Sequence, residues 1–221
     1  MLTIIKTLSI LAFAGVSLAA PTSGDVTVTL KNSCSSDLHV YKLTNGQGGE
    51  KSSKDLSAGS SVDFRVGSDW AGRFWGCRDG ETNCDQYGSA VSLAEFLFKG
   101  YEGSDFYDIS FVDGFNLPMS IQPDNKSGSG YACGAPTCST LPSCPKELQT
   151  DKGACMSACA AFKTDEYCCT GAFNDPNKCK ASQYADNFKQ GCSDAYSYAY
   201  DDARSTFACE ATHKYIVTFC P

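Results

Sequence analysis

The chain has 221 residues, of which 42% are hydrophobic, and a formal net charge of −7. That is enough apolar material for one real core, so the chain is neither a disordered acidic tail nor a small disulfide-stapled peptide. Its acidity repels phosphate backbones and anionic membranes and argues against nucleic acid as a partner.

Met1 to Ala19 has the three parts of an export signal: a positive charge at Lys6, the apolar run Leu8 to Ala14, and small residues Ser17 and Ala19 at a cleavage site. Residues 1–19 are therefore read as a signal peptide and 20–221 as one secreted, extracellular domain. Loss of Lys6 leaves 17 basic residues against 25 acidic ones, a net charge of −8. No later segment approaches the roughly 18 consecutive apolar residues of a spanning helix, so no membrane span is expected.

Period-2 alternation begins at once. Val26, Val28 and Leu30 alternate with Thr27, Thr29 and Lys31, and Val62, Phe64 and Val66 alternate with Ser61, Asp63 and Arg65, the pattern of half-buried strands. Between them, Asn45 to Gly49 and the Ser-rich run Ser52 to Ser61 carry turn chemistry. Further strands are expected at Asp105 to Val112, Ser205 to Cys209 and Tyr215 to Phe219. The fold class is all-β, an antiparallel sandwich or barrel rather than a parallel sheet.

The middle of the chain differs. Pro136, Pro142, Pro145 and eight cysteines from Cys133 to Cys179 interrupt any strand pattern, and short helices are expected around Lys152 to Phe162 and Ala181 to Gln190. This predicts a disulfide-rich lobe, 133–192, inserted into a β-sandwich core of 20–132 and 193–221. The 14 cysteines form an even set, which in an oxidising compartment implies seven bridges. Sequence arithmetic alone leaves on the order of 10^5 ways to pair them. A metal is not expected: Cys155 and Cys159 are four apart and Cys168 and Cys169 are adjacent, but imidazole could come only from His39 and His213, and no paired Cys-x-x-Cys knuckles appear. No cofactor is expected either.

Five runs carry a family resemblance: Leu93-Ala94-Glu95-Phe96, the stretch Asp105 to Met119, Glu166-Tyr167-Cys168-Cys169-Thr170, Asp194-Ala195-Tyr196-Ser197-Tyr198, and the ending Tyr215 to Pro221. Together they span nearly all of the mature chain, which resembles the thaumatin-like proteins of the pathogenesis-related group 5 type. The resemblance implies a β-sandwich with a disulfide-rich second lobe and an acidic cleft between them. It also implies the pairing: Cys34 with Cys220, Cys77 with Cys84, Cys133 with Cys209, Cys138 with Cys192, Cys144 with Cys155, Cys159 with Cys168, and Cys169 with Cys179. Larger members carry eight bridges and a longer segment between Trp75 and Tyr87, where this chain has only Cys77 and Cys84. The groove beside Arg73 is therefore where the resemblance is least direct.

The family's cleft set is one arginine, one glutamate and three aspartates. Residue by residue, the arginine matches Arg73, the glutamate Glu95, and the first two aspartates Asp108 and Asp113. The last falls in Tyr200-Asp201-Asp202, at Asp201 when counted from Tyr198, with Asp202 the alternative. These positions also have a chemical logic of their own. Asp108 shares strand parity with Phe106, Ser110 and Val112, so a carboxylate is interleaved with apolar side chains, while Asp113 sits in a Val-Asp-Gly-Phe turn. Desolvation raises a carboxyl pKa and a second carboxylate raises it further, which lets one group hold a proton while another stays ionised. Arg73 could steady the ionised member. Taken singly, each carboxylate reads as ordinary solvated chemistry; the joint occurrence of all five is what points to a site.

Trp75, Tyr87, Phe96, Tyr101 and Phe115 lie near these residues in sequence and suit a sugar partner, although large rings mostly belong to cores. The resemblance implies binding of β-1,3-glucan or a related cell-wall polysaccharide by a monomer, with weak endo-β-1,3-glucanase activity in which Glu95 donates the proton and Asp108 or Asp113 assists. The setting would be wall remodelling or antifungal defence. The alternatives are a wall-binding or antifungal protein without enzymatic activity, and an inhibitor of another secreted hydrolase that uses a loop between Cys133 and Cys179. Asn125-Lys126-Ser127 is an N-glycosylation sequon in a Gly-Ser loop.

Overall fold

Strands dominate wherever apolar and polar residues alternate. The computed structural model describes residues 24–46, 49–81, 83–86 and 88–221; the expected leader, 1–19, and Tyr87 lie outside the described residues. In chain order the strands are β1 (Val26–Asn32), β2 (Leu38–Thr44), β3 (Lys51–Leu56), β4 (Ser61–Val66), β5 (Ala71–Arg78), β6 (Leu93–Leu97), β7 (Ser104–Ser110), β8 (Gly114–Phe115), β9 (Met119–Pro123), β10 (Thr137–Cys138) and β11 (Cys155–Met156). Short helices α1 (Ala158–Phe162), α2 (Asp165–Cys168) and α3 (Gln183–Gly191) follow, then β12 (Ala195–Tyr196), β13 (Phe207–Glu210) and β14 (Lys214–Phe219).

The strands form two main sheets. The first has the order β10-β9-β14-β1-β4 and the second β12-β7-β6-β5-β2-β3, with β13 also paired to β7. Most pairings are antiparallel, as the alternation suggests, but β1 pairs with β14 in parallel and so does β12 with β7. Two strands that lie far apart in sequence can pair in either sense, and no hairpin constrains β1 and β14. The run Ser52 to Ser61, expected as turn, is β3 up to Leu56. It is an edge strand, exposed along most of its length, and its lysines and serines suit an edge that must not pair with another chain.

Val28, Leu30, Tyr215 and Val217 of the first sheet face Val40, Phe74, Phe96 and Ile109 of the second, and each is almost fully buried. Side chains of this size stabilise by about 1.5–3 kcal/mol each on burial. Ring contacts knit the layers: Phe96 meets Phe74, Phe98, Tyr107 and Tyr215 at centroid distances of 5.4–6.4 Å. Tyr215 also donates its hydroxyl to the buried Asp105 at 2.9 Å. A second, smaller apolar cluster of Trp75, Cys77, Cys84, Val91 and Leu93 lies outside this main core.

The lobe is held by caps and bridges more than by regular structure. Ser157, Thr164 and Ser182 cap the three helices, each accepting from a backbone N–H in the first turn. Lys163 and Cys169 close α1 and α2 in the left-handed conformation. The bridges are Cys34–Cys220, Cys77–Cys84, Cys133–Cys209, Cys138–Cys192, Cys144–Cys155, Cys159–Cys168 and Cys169–Cys179, the pairs that the family resemblance implies. Among the links between the disulfide-rich region and the sandwich are the Cys133–Cys209 bridge and three contacts. β10 extends the first sheet, the Tyr107 hydroxyl donates to Gly134 O at 2.6 Å, and β11 pairs with β8. The last contact requires glycine at 114: its φ is +125°, and a Cβ there would stand 2.1 Å from Cys155 O.

Candidate functional site

Strand register puts three charged side chains in one row. Leu43 of β2 pairs with Arg73 of β5, Arg73 with Glu95 of β6, and Glu95 with Asp108 of β7. Because neighbours in a strand point to opposite faces, burying Phe74, Phe96 and Ile109 in the core turns Arg73, Glu95 and Asp108 to the other face. Directly paired positions bring Cβ atoms within about 4.5–5.5 Å. Phe106 and Ser110 share the parity of Asp108, and together these side chains line an open cleft of about 580 Å³. Asp113, in the turn after β7, and the segment 196–206 complete its wall.

Arg73 stands between two carboxylates, with its Nε 3.7 Å from Glu95 Oε1 and its Nη1 3.9 Å from Asp113 Oδ2. One guanidinium cannot offset the group as a whole. Burial pushes the Glu95 carboxyl up, Asp113 adds to this, and Arg73 and a hydrogen bond with Ser110 only partly oppose it. Asp108 is pushed well above the ordinary aspartate value, first by burial and then by Glu95 and Asp202. One of its carboxyl oxygens is wholly buried without a hydrogen-bond partner within the protein, although the residue as a whole is only half-buried. Asp113 is raised too, by burial, against the pull of Arg73. The cleft therefore retains protons to higher pH than free carboxyls do.

The two candidates for the last aspartate of the set, Asp201 and Asp202, lie in different surroundings. Asp201 is buried, 3% exposed, and does not line the cleft. Its carboxylate accepts from Ser197 N and Oγ and pairs with Lys189 Nζ at 2.9 Å and Arg204 Nη2 at 3.2 Å. Asp202 is the one that reaches the cleft wall, where it accepts from the Tyr196 hydroxyl at 2.9 Å. Successive side chains in this turn diverge, so a shift of one position exchanges a structural ion pair for a cleft carboxylate.

The aromatic residues divide as their size predicts. Trp75, Phe96 and Phe115 are buried, and Tyr101 is exposed. Of these only Phe96 touches the cleft, from its buried position, and Phe106 and Tyr196 border it as well. The parity of Asp108 already contained Phe106, whereas Tyr196 stands in a run that carries the family resemblance without being singled out for the cleft, and it reaches the site because β12 pairs with β7. Asn125 is exposed in a turn after β9. Cys77, Glu81 and Cys84 bring two sulfurs and a carboxylate within 4.8 Å, but both sulfurs belong to the Cys77–Cys84 bridge and offer no thiolate.

Known proteins resemble this chain along its length. A family model described as the thaumatin family matches residues 32–221. A protein named glucan endo-1,3-beta-glucosidase from Prunus avium is 37% identical over 242 residues, covering 97% of this chain and 95% of that one. Pathogenesis-related thaumatin-like protein 3.5 from Cryptomeria japonica is 41% identical, covering 90% and 91%, and pathogenesis-related protein 5 from Arabidopsis thaliana is 38% identical, covering 87% and 89%. A two-sheet β architecture, seven bridges that need an oxidising compartment, and these end-to-end likenesses lead to one statement of kinship: the chain belongs to the thaumatin family.

Proposed function

We propose that this is a secreted protein that binds β-1,3-glucan in the acidic cleft and hydrolyses it slowly from within the chain, in wall remodelling or antifungal defence. The observation that carries the reading is the row Arg73–Glu95–Asp108, with Asp113 beside it, on the floor of an open cleft whose carboxyls are held above their ordinary pKa. Glycoside cleavage needs one carboxylic acid that keeps its proton and one carboxylate that has lost it. Glu95 is assigned as the acid. Asp113, on the other side of the Arg73 guanidinium, is the carboxylate. Asp108 is too deeply placed to ionise readily, and its role is to keep a proton within the Glu95 pair.

In this reaction Glu95 passes its proton to the glycosidic oxygen as the bond from that oxygen to the anomeric carbon breaks. Water adds to that carbon and gives a proton to Asp113. The likeness to a protein named as a glucan endo-1,3-beta-glucosidase supports the choice of substrate. Reducing-sugar release from a linear β-1,3-glucan tests the reading. Glu95→Gln is expected to lower the rate by at least about 10²-fold while retention on insoluble glucan persists. Equal release by both proteins removes Glu95 from the chemistry, and retention without any soluble product leaves binding alone.

The pH profile provides a second check. A donor with a raised pKa stays protonated above the usual glutamate range, so activity is lost on the alkaline side and that limb lies above about pH 4.3, the ordinary glutamate value. Rates of kcat/KM measured across pH are expected to show the displaced limb in the native protein.

A further inference from the structure

The acidic cleft continues beyond Asp113. Arg73, Leu93 and Asp113 also border a shallow saddle walled by Leu43, Trp75 and Val91, and Gly88 on its far side borders a second groove. That groove, about 580 Å³, runs between Glu81, Asn83, Cys84 and Gly88 to Ala90 on one side and Gln149 to Lys163 on the other. The two grooves each have the size of a small-ligand site, and the residues that the shallow saddle shares with both make them one track.

The second groove differs from the first in charge. Its two lysines, Lys152 and Lys163, are matched by Glu81 and Asp151, so it has no net sign and no reason to hold an ion. The remaining walls offer hydroxyl and amide groups at Ser89, Thr150 and Gln149 beside small apolar surface at Ala90 and Ala160. Neutral hydrogen-bonding groups set among apolar patches match a neutral sugar, whose hydroxyls lie around an apolar ring face. The saddle between the grooves sets Leu43, Trp75, Val91 and Leu93 beside the polar groups of Arg73, Gln86 and Asp113, the same mixture of apolar surface and hydrogen-bonding groups that a sugar unit presents.

We infer that the groove between Gly88 to Ala90 and Gln149 to Lys163 is an extended binding track for the same glucan strand, occupied by sugar units that lie beyond the acidic row. The inference rests on the reading of the cleft as a glucan site. It makes the protein a reader of long chains: an oligosaccharide that fills only the acidic cleft binds less tightly than one that crosses the saddle.

The test is calorimetric titration with a ladder of linear β-1,3-gluco-oligosaccharides from the disaccharide upward, on the native protein and on Ala160→Trp and Lys152→Trp, each of which narrows the second groove from a different position. Thermal melts identify any variant that fails to fold. The expected result is an affinity in the native protein that rises at least about tenfold, or 1.4 kcal/mol, once the oligosaccharide outgrows the acidic cleft. In both folded variants the ratio of long-chain to short-chain affinity should fall toward one. Affinity that is independent of length, or a ratio unchanged in both variants, overturns the track while leaving the acidic cleft as a glucan site. Failure of every oligosaccharide to bind overturns both.

Discussion

Asp108 shows how one side chain can serve a site at the expense of the fold. Its pKa is raised by burial and by its acidic neighbours, so between the ordinary aspartate value and the raised one the native state holds a proton that the unfolded chain has released. Stability therefore falls as pH rises through that window and stays flat above it. Asp108→Asn removes the titration and keeps the shape. At neutral pH it is expected to raise the melting temperature by about 2–4 °C for each kcal/mol recovered. The gain should vanish below about pH 3.9, the ordinary aspartate value, as calorimetric melts across pH would show. Glycan hydrolysis should fall in the same variant, the exchange of function for stability common at working sites. Gly114 is constrained in a simpler way. With φ at +125° and Cys155 O in the place of a Cβ, Gly114→Ala should cost more than about 1 kcal/mol, measurable as a lower denaturation midpoint, by forcing β8 away from β11.

The elements that were legible in the sequence are those with one wet face. β1, β4 and β14 alternate cleanly because one side meets the core and the other meets solvent. β7, which carries Asp108, is legible as well, but β5, which carries Arg73, is harder to read because both of its faces are occupied. In β5 Phe74 faces the core while Trp75 and Cys77 belong to the second cluster, which breaks the alternation over Ala71–Arg78. β3 is hidden for the opposite reason, since an edge strand of lysines and serines has almost no buried side. The residues proposed for the site came from the family resemblance, which left Asp201 and Asp202 as alternatives, because a one-residue ambiguity inside a turn has no periodicity to resolve it; of the two, Asp202 lines the cleft. Asp201 nevertheless does structural work. Lys189 on α3 forms an ion pair with Asp201 at 2.9 Å and donates to Ala195 O, Arg204 O and Ser205 Oγ at 2.7–3.0 Å, clipping the helix to the segment that forms the cleft wall. Burial lowers the Lys189 pKa, against the pull of Asp201. Asp201→Ala leaves that lysine without its counter-charge and is expected to cost about 3–5 kcal/mol, read as a loss of unfolding free energy in urea.

At the scale of the whole molecule the bridges divide into four local clips spanning 7–11 residues, two that span 54 and 76, and one long closure. Cys34–Cys220 joins positions 186 residues apart, next to the parallel pair β1 and β14. Long loops gain most from a cross-link in the chain-entropy account. Replacing Cys34 and Cys220 together by alanine should cost about 2–5 kcal/mol, seen as a melting temperature about 2–4 °C lower for each kcal/mol lost. The place of β14 in the middle of the first sheet, between β9 and β1, also sets a timetable for biosynthesis. β1 leaves the ribosome early, and at about 5–20 residues per second its central partner follows roughly 10–40 s later. In the interval β1 can pair with β4 on one side only, and its other edge, with the apolar face of Val26, Val28 and Leu30, stands open to wrong partners. A chaperone that shields this strand, or a delay in folding until synthesis is complete, is thus a requirement of the topology itself.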